Sequence, residues 1–353
     1  MDTIKISIDE NVNSQIIIKE GIRNDVSSIL QDKKCFLITN TTIKKLYPEL
    51  IYKFHKDRII VIKDGEKYKN LKTYYYILDE LLKRKIERKD CIVALGGGVI
   101  GDIAGFCASS ILRGVELIHV PTTLLAMCDS SIGGKTGVNS QYGKNLIGSF
   151  YMASKIFIDP EFIDTLNNYE YKCGMGEILK YAFIEKSCKC DKQYNLIEFF
   201  ERNQILDVKN QMTHIINACA NLKASVVEKD RLEGGLRKIL NFGHTYAHPI
   251  ETLSKYKKIS HGEAVVWGIK CASKLGLNIG KIDKDYFDKV NFLIDKFKLI
   301  SHKFKFKKSD IIKLMEQDKK VENGKINLLV PVNPAEVELF DNIDLHDIEV
   351  SLP

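Results

Sequence analysis

Short, unbroken apolar segments alternate with helical patterns over the first 160 residues of the chain. Residues 70–86 place apolar side chains at helical spacing, which predicts an amphipathic helix. Residues 3–8 and 15–18 predict a pair of strands joined by a polar turn. Four further apolar segments predict buried strands: residues 34–39, 58–62, 91–95 and 116–120. Buried strands separated by helices are typical of a parallel sheet covered on both faces.

The pattern changes after residue 160. Residues 161–320 carry long helical patterns, and residues 325–330 predict one short strand. The chain has 353 residues, more than the roughly 250–300 that one hydrophobic core fills. We therefore predict an α/β domain with a parallel Rossmann-like sheet, residues 1–159, and an all-α domain, residues 160–353. Ligands of parallel sheets bind beyond the carboxyl ends of the strands, so the segments there are candidates for a site.

The composition is that of an ordinary globular protein, with 44% hydrophobic and 28% charged residues. No apolar segment reaches the roughly 18 residues of a membrane span. The start of the chain lacks the apolar core of a secretion signal, so we expect a cytoplasmic protein without a membrane partner. The nine cysteines are scattered, and we expect them to be free thiols.

The net charge of +7 is a mild excess of positive charge. Residues 302–308 alternate lysine with phenylalanine, which fits either a nucleic-acid surface or a strand with its lysines in water. We favour the strand and expect no nucleic-acid partner. A mild positive charge suits small anionic substrates such as sugar phosphates.

A glycine-rich segment, residues 96–102, follows one predicted strand and begins a helical pattern. Glycine lets main-chain amides approach a pyrophosphate, and the amino end of a helix favours its negative charge. Tight turns between strand and helix also use glycine for packing. The three preceding buried strands favour the nucleotide interpretation.

Two further segments, residues 129–137 and 143–148, place Lys135 and Lys144 among glycines. The first resembles the end of an ATP-binding P-loop, but Asp129 stands where that motif needs glycine, and no strand leads into it. We therefore reject an ATPase. We expect two lysines on glycine-rich loops that can hold a phosphate or carboxylate; solvated surface loops are the alternative.

The most informative polar pattern lies between residues 237 and 261. Four polar residues are spaced four, three and four apart, so one continuous helix would present them as a stripe: Arg237, Asn241, His244 and His248. His261 begins the next helical pattern, and Glu177 lies upstream, one turn before Lys180. Two imidazoles and a carboxylate are the ligand set of a catalytic zinc with open positions. Spacing alone leaves open whether these side chains bind a metal or are structural.

Six motifs in this order resemble the 3-dehydroquinate synthase family of sugar-phosphate cyclases. They are residues 96–102, 121–127, 129–136, 143–148, 233–237 and 261–263, and the resemblance extends from about residue 36 to 331. It implies that a ring hydroxyl of 3-deoxy-D-arabino-heptulosonate 7-phosphate is transiently oxidised with bound NAD. Phosphate then leaves, the hydride returns, the ring opens and an aldol step closes 3-dehydroquinate, in aromatic amino-acid biosynthesis. A divalent metal, zinc or cobalt, would polarise the hydroxyl and the ketone.

The resemblance also implies roles for single residues. The metal ligands would be Glu177, His244 and His261. Substrate or proton-handling residues would be Lys135, Lys180, Lys223, Arg237, Asn241, His248 and Lys319, and those shared between substrate and cofactor Asp129, Lys144 and Asn145. Contacts to NAD, in which Lys135 would also take part, would come from Asn40, Thr41, Thr42, Glu66, Lys69, Gly97, Gly98, Val99, Asp102, Thr122 and Thr123, with Phe162 and Thr165 near the nicotinamide. Arg113 would reach a neighbouring subunit's phosphate site, which implies a homodimer.

Three positions depart from the family pattern. Gly176 stands where the family has alanine before the metal-binding glutamate, and Cys173 stands where a small polar residue or asparagine is expected. His248 is followed by Pro249, which lacks an amide hydrogen and crowds the carbonyl four residues earlier. We predict a kink there, which would affect the direction of His248.

Three other functions are compatible with parts of this pattern. Another sugar-phosphate cyclase, such as 2-deoxy-scyllo-inosose synthase, would share the fold, NAD and the metal. The set of pocket residues favours dehydroquinate: Lys223, Arg237, Asn241, His248 and Lys319. A polyol dehydrogenase of the glycerol dehydrogenase type would instead produce NADH with an alcohol. A catalytically dead NAD-binding or regulatory protein is disfavoured by the intact lysines and metal-ligand candidates.

Overall fold

The computed structural model describes residues 1–8, 11–255, 259–317, 321–322 and 325–353. They form two compact units. The first unit comprises Met1–Asn167 and Thr213–Glu228, and the second comprises Asn168–Met212 and Lys229–Pro353. These units are defined by packing, so the predicted domain boundary after residue 159 stays a prediction.

The first unit is built around a mainly parallel sheet. Its strands are β1 (Asp2–Ile8), β2 (Asn11–Ile18), β3 (Cys35–Asn40), β4 (Ile59–Ile62), β5 (Cys91–Gly96), β6 (Glu116–Pro121), β7 (Lys135–Ser140), β8 (Gly143–Phe150) and β9 (Lys155–Ile158). Seven of them form one sheet in the order β1-β2-β9-β6-β5-β3-β4. Strands β1 and β2 pair antiparallel, and all other neighbours in this sheet pair parallel. The predicted parallel sheet is confirmed, and β3 and β5 are buried along their whole length.

The helices of the first unit follow the strands as predicted for alternating α/β structure. They are α1 (Val26–Ile29), α2 (Thr41–Leu46), α3 (Pro48–Ile51), α4 (Leu71–Lys83) and α5 (Gly98–Ser110), and the long helix Met212–Lys229, α9 in chain order, adds Thr213–Glu228. Helix α4 begins where Asn70 Oδ1 accepts a hydrogen bond from the Thr73 amide at 3.0 Å. It buries Ile77 and Leu81, which accounts for the apolar spacing in residues 70–86.

The two glycine-rich segments predicted as loops form the hairpin of β7 and β8. Gly137 and Gly148 face each other across it, and a Cβ at Gly148 would lie 2.0 Å from the Thr136 carbonyl oxygen. The glycines therefore allow two backbones to approach closely. The loop prediction is wrong because glycine density does not distinguish a mobile loop from a tightly packed pair of strands.

Cys35 and Cys91 are register partners on β3 and β5, with Cα atoms 4.7 Å apart, and they form a disulfide. The expectation of nine free thiols is wrong for this pair. Scattered positions along the chain do not show which cysteines a sheet brings side by side. The other seven cysteines are thiols.

The second unit is mainly helical, as predicted. Its helices are α6 (Asn168–Ile184), α7 (Leu196–Arg202), α8 (Ile205–Asn210), α10 (His244–Leu253), α11 (His261–Asn278), α12 (Lys284–Lys296), α13 (Lys308–Gln317) and α14 (Leu345–Ser351). It also contains two antiparallel pairs, β10 (Val321–Glu322) with β11 (Lys325–Ile326) and β12 (Leu328–Asn333) with β13 (Glu336–Phe340). The single predicted strand at 325–330 is thus divided between β11 and β12. Within the described ranges, no helix combines the length and apolar character needed to cross a membrane.

The segment that alternates lysine and phenylalanine forms no regular element between residues 301 and 307. Phe304 packs against Trp267 with ring centroids 5.3 Å apart, and Phe306 packs against Phe304 at 5.5 Å. Lys303, Lys305 and Lys307, which alternate with these rings, are exposed. The inward and outward alternation is correct, but the strand prediction is wrong, because alternation does not supply a partner strand.

Candidate active site

In the first unit, the end of β3 carries the first residues predicted to contact NAD. Asn40 Oδ1 caps α2 by accepting from the Ile43 amide at 2.8 Å, and its Nδ2 donates to Asp64 Oδ1 at 2.9 Å. Thr42 Oγ1 donates to Asp64 Oδ2 at 2.6 Å, while Thr41 is exposed. Asp64 therefore organises this corner of the sheet. Sequence reasoning missed it, since an acid that follows a strand has no distinguishing pattern.

The amino end of α5 follows β5 directly, and no described side chain caps it. A Cβ at Gly97 would lie 2.8 Å from Thr123 Cγ2, and one at Gly98 would lie 3.1 Å from Ser130 Oγ. The buried hydroxyls of Thr122 and Ser130 have no hydrogen-bond partner among the described residues. Uncapped helix amides and orphaned hydroxyls fit an anionic group such as a pyrophosphate. Ser130 is a residue that the sequence did not single out; Val99, in the first turn, is half-buried.

Lys69 contacts two of the other predicted cofactor and substrate residues. Its buried Nζ donates to the Asp102 carboxylate and to Asn145 Oδ1, the latter at 2.6 Å. Burial raises the pKa of Asp102, although the ammonium of Lys69 opposes this shift. Glu66 accepts from Asn139 Nδ2 at 2.7 Å, so it lies against the β7 side of the same unit.

Lys223, which is buried, and Asp129, which is partly exposed, form a second ion pair in the first unit. Lys223 Nζ donates to the Asp129 carbonyl at 2.8 Å and also to its carboxylate. On the hairpin, Lys135 is exposed and Lys144 is half-buried. Arg113 is exposed after α5, with a left-handed φ of 65°.

Phe162 and Thr165 belong to a short 3-10 helix, Pro160–Thr165, in the first unit. The Phe162 ring is fully buried and packs edge to face on Tyr47, with centroids 4.9 Å apart. Thr165 Oγ1 lies 2.5 Å from the Tyr47 hydroxyl. Tyr47 thus fixes both residues, and their place near a nicotinamide stays a prediction.

In the second unit, three helices bring Glu177, His244 and His261 together. Glu177 Oε1 lies 3.5 Å from His244 Nε2 and 3.1 Å from His261 Nε2. One ligand atom from each residue lies within 4.8 Å of the other two. Two ligands at about 2.1 Å from a tetrahedral ion are about 3.4 Å apart, so the donor types and their spacing fit a divalent metal.

The two oxygens of the Glu177 carboxylate have different partners, and one of them is Lys180. Its Nζ lies 2.5 Å from Glu177 Oε2, while Oε1 faces the two imidazoles. Both side chains are fully buried, and the Lys180 ammonium also lies 4.6 Å from the centre of the Tyr181 ring. The buried Lys180 ammonium therefore contacts the oxygen of Glu177 that does not face the histidines, and its charge is weakly screened there.

The two histidines of this cluster have different partners at their outer nitrogens. His244 Nδ1 lies 3.2 Å from the Phe242 carbonyl, and His261 Nδ1 lies 3.2 Å from Glu251 Oε2. Burial holds the pKa of His244 well below its ordinary value. Burial also acts on His261, but Glu251 and Glu177 outweigh it and raise the pKa of this imidazole well above its ordinary value. Sequence reasoning missed Glu251, although its position seven residues after His244 places both on one helical face.

The predicted polar stripe on one helix is wrong. Arg237 and Asn241 lie on a 3-10 helix, Leu236–Asn241, whereas His244 and His248 lie on α10. Gly243 separates the elements with a left-handed φ of 80°, and a Cβ there would lie 2.8 Å from the Val265 carbonyl oxygen. The close approach to α11 therefore requires glycine at this break.

The ring of His248 lies edge to face with that of His244, with centroids 5.7 Å apart. Helix α10 continues through Pro249 to Leu253, and the predicted kink stays a prediction. The two polar side chains before the break have hydrogen-bond partners of their own. Arg237 is fully buried and donates to the Arg231 carbonyl at 2.5 Å, and Asn241 Nδ2 donates to Glu233 Oε1 at 2.6 Å. Lys319 lies outside the described residues.

Gly176 and Cys173, the two residues of α6 that depart from the family pattern, lie where α6 crosses α11. A Cβ at Gly176 would lie 2.5 Å from the Gly262 carbonyl oxygen, and one at Gly262 would lie 2.1 Å from the Cys173 carbonyl oxygen. Cys173 Sγ accepts from the Gly262 amide at 3.4 Å. Glycine at 176 thus allows a close helix contact directly beside Glu177 and His261.

Comparison with known proteins assigns the chain. Its sequence is 38% identical over 346 residues to 3-dehydroquinate synthase of Prochlorococcus marinus (strain AS9601), covering 94% of this chain and 93% of that protein. A solved 2-deoxy-scyllo-inosose synthase complexed with carbaglucose-6-phosphate, NAD+ and Co2+ matches with a TM-score of 0.86 and 25% identity, over 99% of this chain and 98% of the other. A 2-epi-5-epi-valiolone synthase from Streptomyces hygroscopicus subsp. jinggangensis 5008 has the same fold, with a TM-score of 0.84, 22% identity and coverage of 99% and 98%.

Family models describe the two parts of the chain in the expected order. The model of the 3-dehydroquinate synthase N-terminal part matches residues 59–173, and that of the C-terminal part matches residues 174–321. The second match contains Glu177, His244 and His261, and the first contains the glycine-rich start of α5. Together with the nearly full-length relative, these matches show that the chain belongs to the 3-dehydroquinate synthase family.

Proposed function

We propose that this chain converts 3-deoxy-D-arabino-heptulosonate 7-phosphate into 3-dehydroquinate and phosphate, with NAD and a divalent metal. The observation that carries the proposal is the meeting of Glu177, which is buried, with His244 and His261 within the part that the family's C-terminal model covers. The two-histidine, one-carboxylate donor set suits zinc, and the 2-deoxy-scyllo-inosose synthase structure of similar fold contains Co2+ and NAD+.

When bound, the metal polarises the hydroxyl that is oxidised, and NAD takes and returns its hydride. Glu177 Oε1, His244 Nε2 and His261 Nε2 would hold the metal. The Lys180 ammonium lies beside Glu177 Oε2. We assign Lys180 to stabilising negative charge that develops on a substrate oxygen. Its Nζ can also donate a proton to such an oxygen.

We assign the remaining polar residues of the second unit to the anionic groups of the substrate. Arg237 has its backbone amide bound by Asp230 Oδ2 at 2.9 Å, and its side chain donates to the Arg231 carbonyl. Asn241 is oriented by Glu233, and His248 lies beside His244. These hydrogen bonds hold Arg237 and Asn241 before any substrate arrives, which lowers the entropic cost of binding it.

We assign the carboxyl end of the first-unit sheet to NAD. The uncapped amino end of α5 and the orphaned hydroxyls of Thr122 and Ser130 support a pyrophosphate there. Lys69, Asp102 and Asn145 form a connected polar group in the same unit, suited to hydroxyl groups of the cofactor. Lys223 and Asp129 support a further polar contact.

We also propose a homodimer in the cytoplasm. Support for the dimer comes from Arg113, which is exposed beside Leu112, itself 38% exposed and also left-handed. A conformation that ordinary residues seldom adopt is often kept where a functional contact requires it. Light scattering of the purified protein tests this: a mass near twice the 40.2 kDa of one chain is expected.

A direct assay tests the reaction. Purified protein with catalytic NAD, zinc or cobalt, and the heptulosonate phosphate should release inorganic phosphate and form dehydroquinate without net NADH. Glucose 6-phosphate and glycerol serve as comparison substrates, since they suit the rival cyclase and the rival polyol dehydrogenase. The proposal fails if phosphate is not released although metal and NAD are both bound, or if glycerol gives net NADH.

A further inference from the structure

His261 presents its two ring nitrogens to two different carboxylates. Nε2 lies 3.1 Å from Glu177 Oε1, and Nδ1 lies 3.2 Å from Glu251 Oε2. An ionised carboxylate can only accept a hydrogen bond, so the contact with Glu251 places a hydrogen on Nδ1. Nε2 also faces a carboxylate, so a divalent metal would take the place of the hydrogen between Nε2 and Glu177 Oε1, while the hydrogen on Nδ1 stays with Glu251.

Glu251 is placed for this contact by helix α10. It follows His244 by seven residues, about two helical turns, so one face of α10 supplies both the His244 imidazole and the carboxylate beside His261. Glu251 is only 5% exposed. Burying a carboxylate is costly unless a partner compensates for lost hydration, and the His261 Nδ1–H is such a partner.

The other histidine of the cluster supplies an internal comparison. His244 Nδ1 faces the Phe242 carbonyl, a neutral acceptor, at 3.2 Å. Both histidines thus have an oxygen that fixes the ring and directs Nε2 to Glu177 Oε1. The acceptor is charged only at His261, and a carboxylate acceptor makes the opposite nitrogen a better electron-pair donor.

Glu251 itself lies outside the set of ligands. Among the described residues, the group able to share one ion consists of Glu177, His244 and His261. The Glu251 carboxylate contacts the opposite edge of the His261 ring from the nitrogen that faces Glu177. Any effect of Glu251 on a metal must therefore act through His261.

We propose that Glu251 is a positioning residue of the metal centre, one that fixes the tautomer and orientation of His261 and strengthens Nε2 as a ligand. The inference rests on the metal centre of the proposed function. It predicts that the loss of the Glu251 charge weakens metal binding while the ligands themselves remain in place. Partners of this kind change metal affinity by about 10–100-fold.

The test compares metal affinity in Glu251→Gln and Glu251→Ala with that of the wild-type protein. Competition with a chromophoric chelator gives the dissociation constants for Co2+ and Zn2+ without substrate or turnover. We expect an increase of about 10-fold for Glu251→Gln, whose amide oxygen can still accept, and of up to about 100-fold for Glu251→Ala. The visible bands of bound Co2+ should shift in both variants, since they report the ligand field.

Glu263→Gln is a matched control. Glu263 is also 5% exposed and lies two residues after His261, but its carboxylate accepts from the Ser301 and His302 amides at 2.8 and 2.7 Å. Its loss should lower the midpoint of thermal unfolding and leave the Co2+ affinity within about twofold. Should Glu251→Ala fail to fold, Glu251→Gln, which keeps the shape of the side chain, still decides the question.

A position-specific readout separates His261 from His244. In the Co2+ protein, the Nδ1 hydrogens of the two ligand histidines give separate, paramagnetically shifted proton resonances that are lost on exchange with deuterium. Glu251→Ala should speed hydrogen exchange at the His261 resonance. The exchange rate of the His244 resonance, whose hydrogen is bound to the Phe242 carbonyl, should not change.

Folded Glu251→Gln with wild-type affinity and an unshifted Co2+ spectrum overturns the role of Glu251. Wild-type protein that binds no metal overturns the centre and this role together. If the wild-type protein binds metal but forms no dehydroquinate, the proposed function fails while the metal titrations still decide the role of Glu251.

Discussion

The glycine-rich end of the sheet in the first unit and the Glu177 cluster in the second are built in opposite ways. At the start of α5, glycines clear space around main-chain amides, and the buried Ser130 hydroxyl lies beside Gly98 without a partner among the described residues. Around Glu177, ionisable side chains from three helices meet, and each one has a charged or polar partner. One region offers unsatisfied groups to a ligand, whereas the other holds its groups in a network.

His119 in the first unit and His261 in the second show how the surroundings of a histidine set its pKa. His119 on β6, in the first unit, has its pKa lowered to about 4 by burial. The pKa of His261 is raised instead, because the carboxylates of Glu251 and Glu177 outweigh the effect of burial. His244, the other histidine of the cluster, has its pKa lowered by burial as His119 does, so the carboxylate at the outer nitrogen is particular to His261.

The largest expected effect is that of Glu177→Gln. Losing the charge that joins both histidines should abolish tight metal binding and lower kcat/KM by at least about 1000-fold, equivalent to about 4 kcal/mol. Binding of NAD, measured by calorimetry, should remain within about threefold, because its assigned residues belong to the first unit. Metal content after dialysis and kcat/KM measure the first two changes.

Glu185→Gln is the control for that substitution. Glu185 follows α6 and is also buried, but its carboxylate accepts from the amides of Asn195 and Leu196, both at 2.8 Å. It should lower stability and leave metal content unchanged. Full metal loading of Glu177→Gln would show that the Glu177 carboxylate is not required to hold the metal.

A smaller effect is expected for Gly98→Val. The added side chain begins 3.1 Å from Ser130 Oγ and fills the space at the uncapped helix end, so the dissociation constant for NAD should rise by at least about 10-fold, or about 1.4 kcal/mol. Metal affinity should not change. Gly235→Ala is the comparison, since a Cβ there meets no atom within 4 Å. Unaltered NAD affinity in Gly98→Val would place the cofactor elsewhere.

Features carried by adjacent residues could be predicted from the sequence. The buried strands, helix α4 and the glycine-rich start of α5 follow from local apolar patterns, and the structure contains all of them. The three metal-ligand candidates depended on the family resemblance, because Glu177 lies far along the chain from His244 and His261. Their meeting depends on the crossing of α6 and α11, which Gly176 and Gly262 allow.

Features set by tertiary packing could not be predicted in this way. Gly243 breaks the expected helix because α11 passes close to it, a neighbour that helical spacing does not reveal. The hairpin of β7 and β8 contains the same glycines as a loop would. Glu251 and Asp64 gain their roles only from the partners that the fold brings to them.

The pH dependence of stability provides a test of the structural histidine. The pKa of His119 is about 4 in the folded protein and near 6.5 in the unfolded chain, so the unfolded state takes up the proton first. Stability from this group is therefore complete above pH 6.5 and falls as the pH drops towards 4, by about 1 kcal/mol at pH 5.5. Urea unfolding at pH 7 and 5.5 should show a smaller acid loss in His119→Leu. Exposed His55 gives a control, since His55→Gln should retain the wild-type difference.

The smallest effect is expected for Pro249→Ala. Alanine restores an amide that can bond to the Thr245 carbonyl, but α10 already runs from His244 through Leu253 with proline inside it. The Co2+ affinity should therefore stay within about twofold of the wild-type value. The kcat/KM should stay within about threefold, and any change in it would come from the altered direction of His248. A change in kcat/KM without a change in metal affinity would support a kink that directs His248. Loss of metal affinity would instead mean that Pro249 sets the distance along α10 between His244 and Glu251, and that both histidine contacts depend on the same bend.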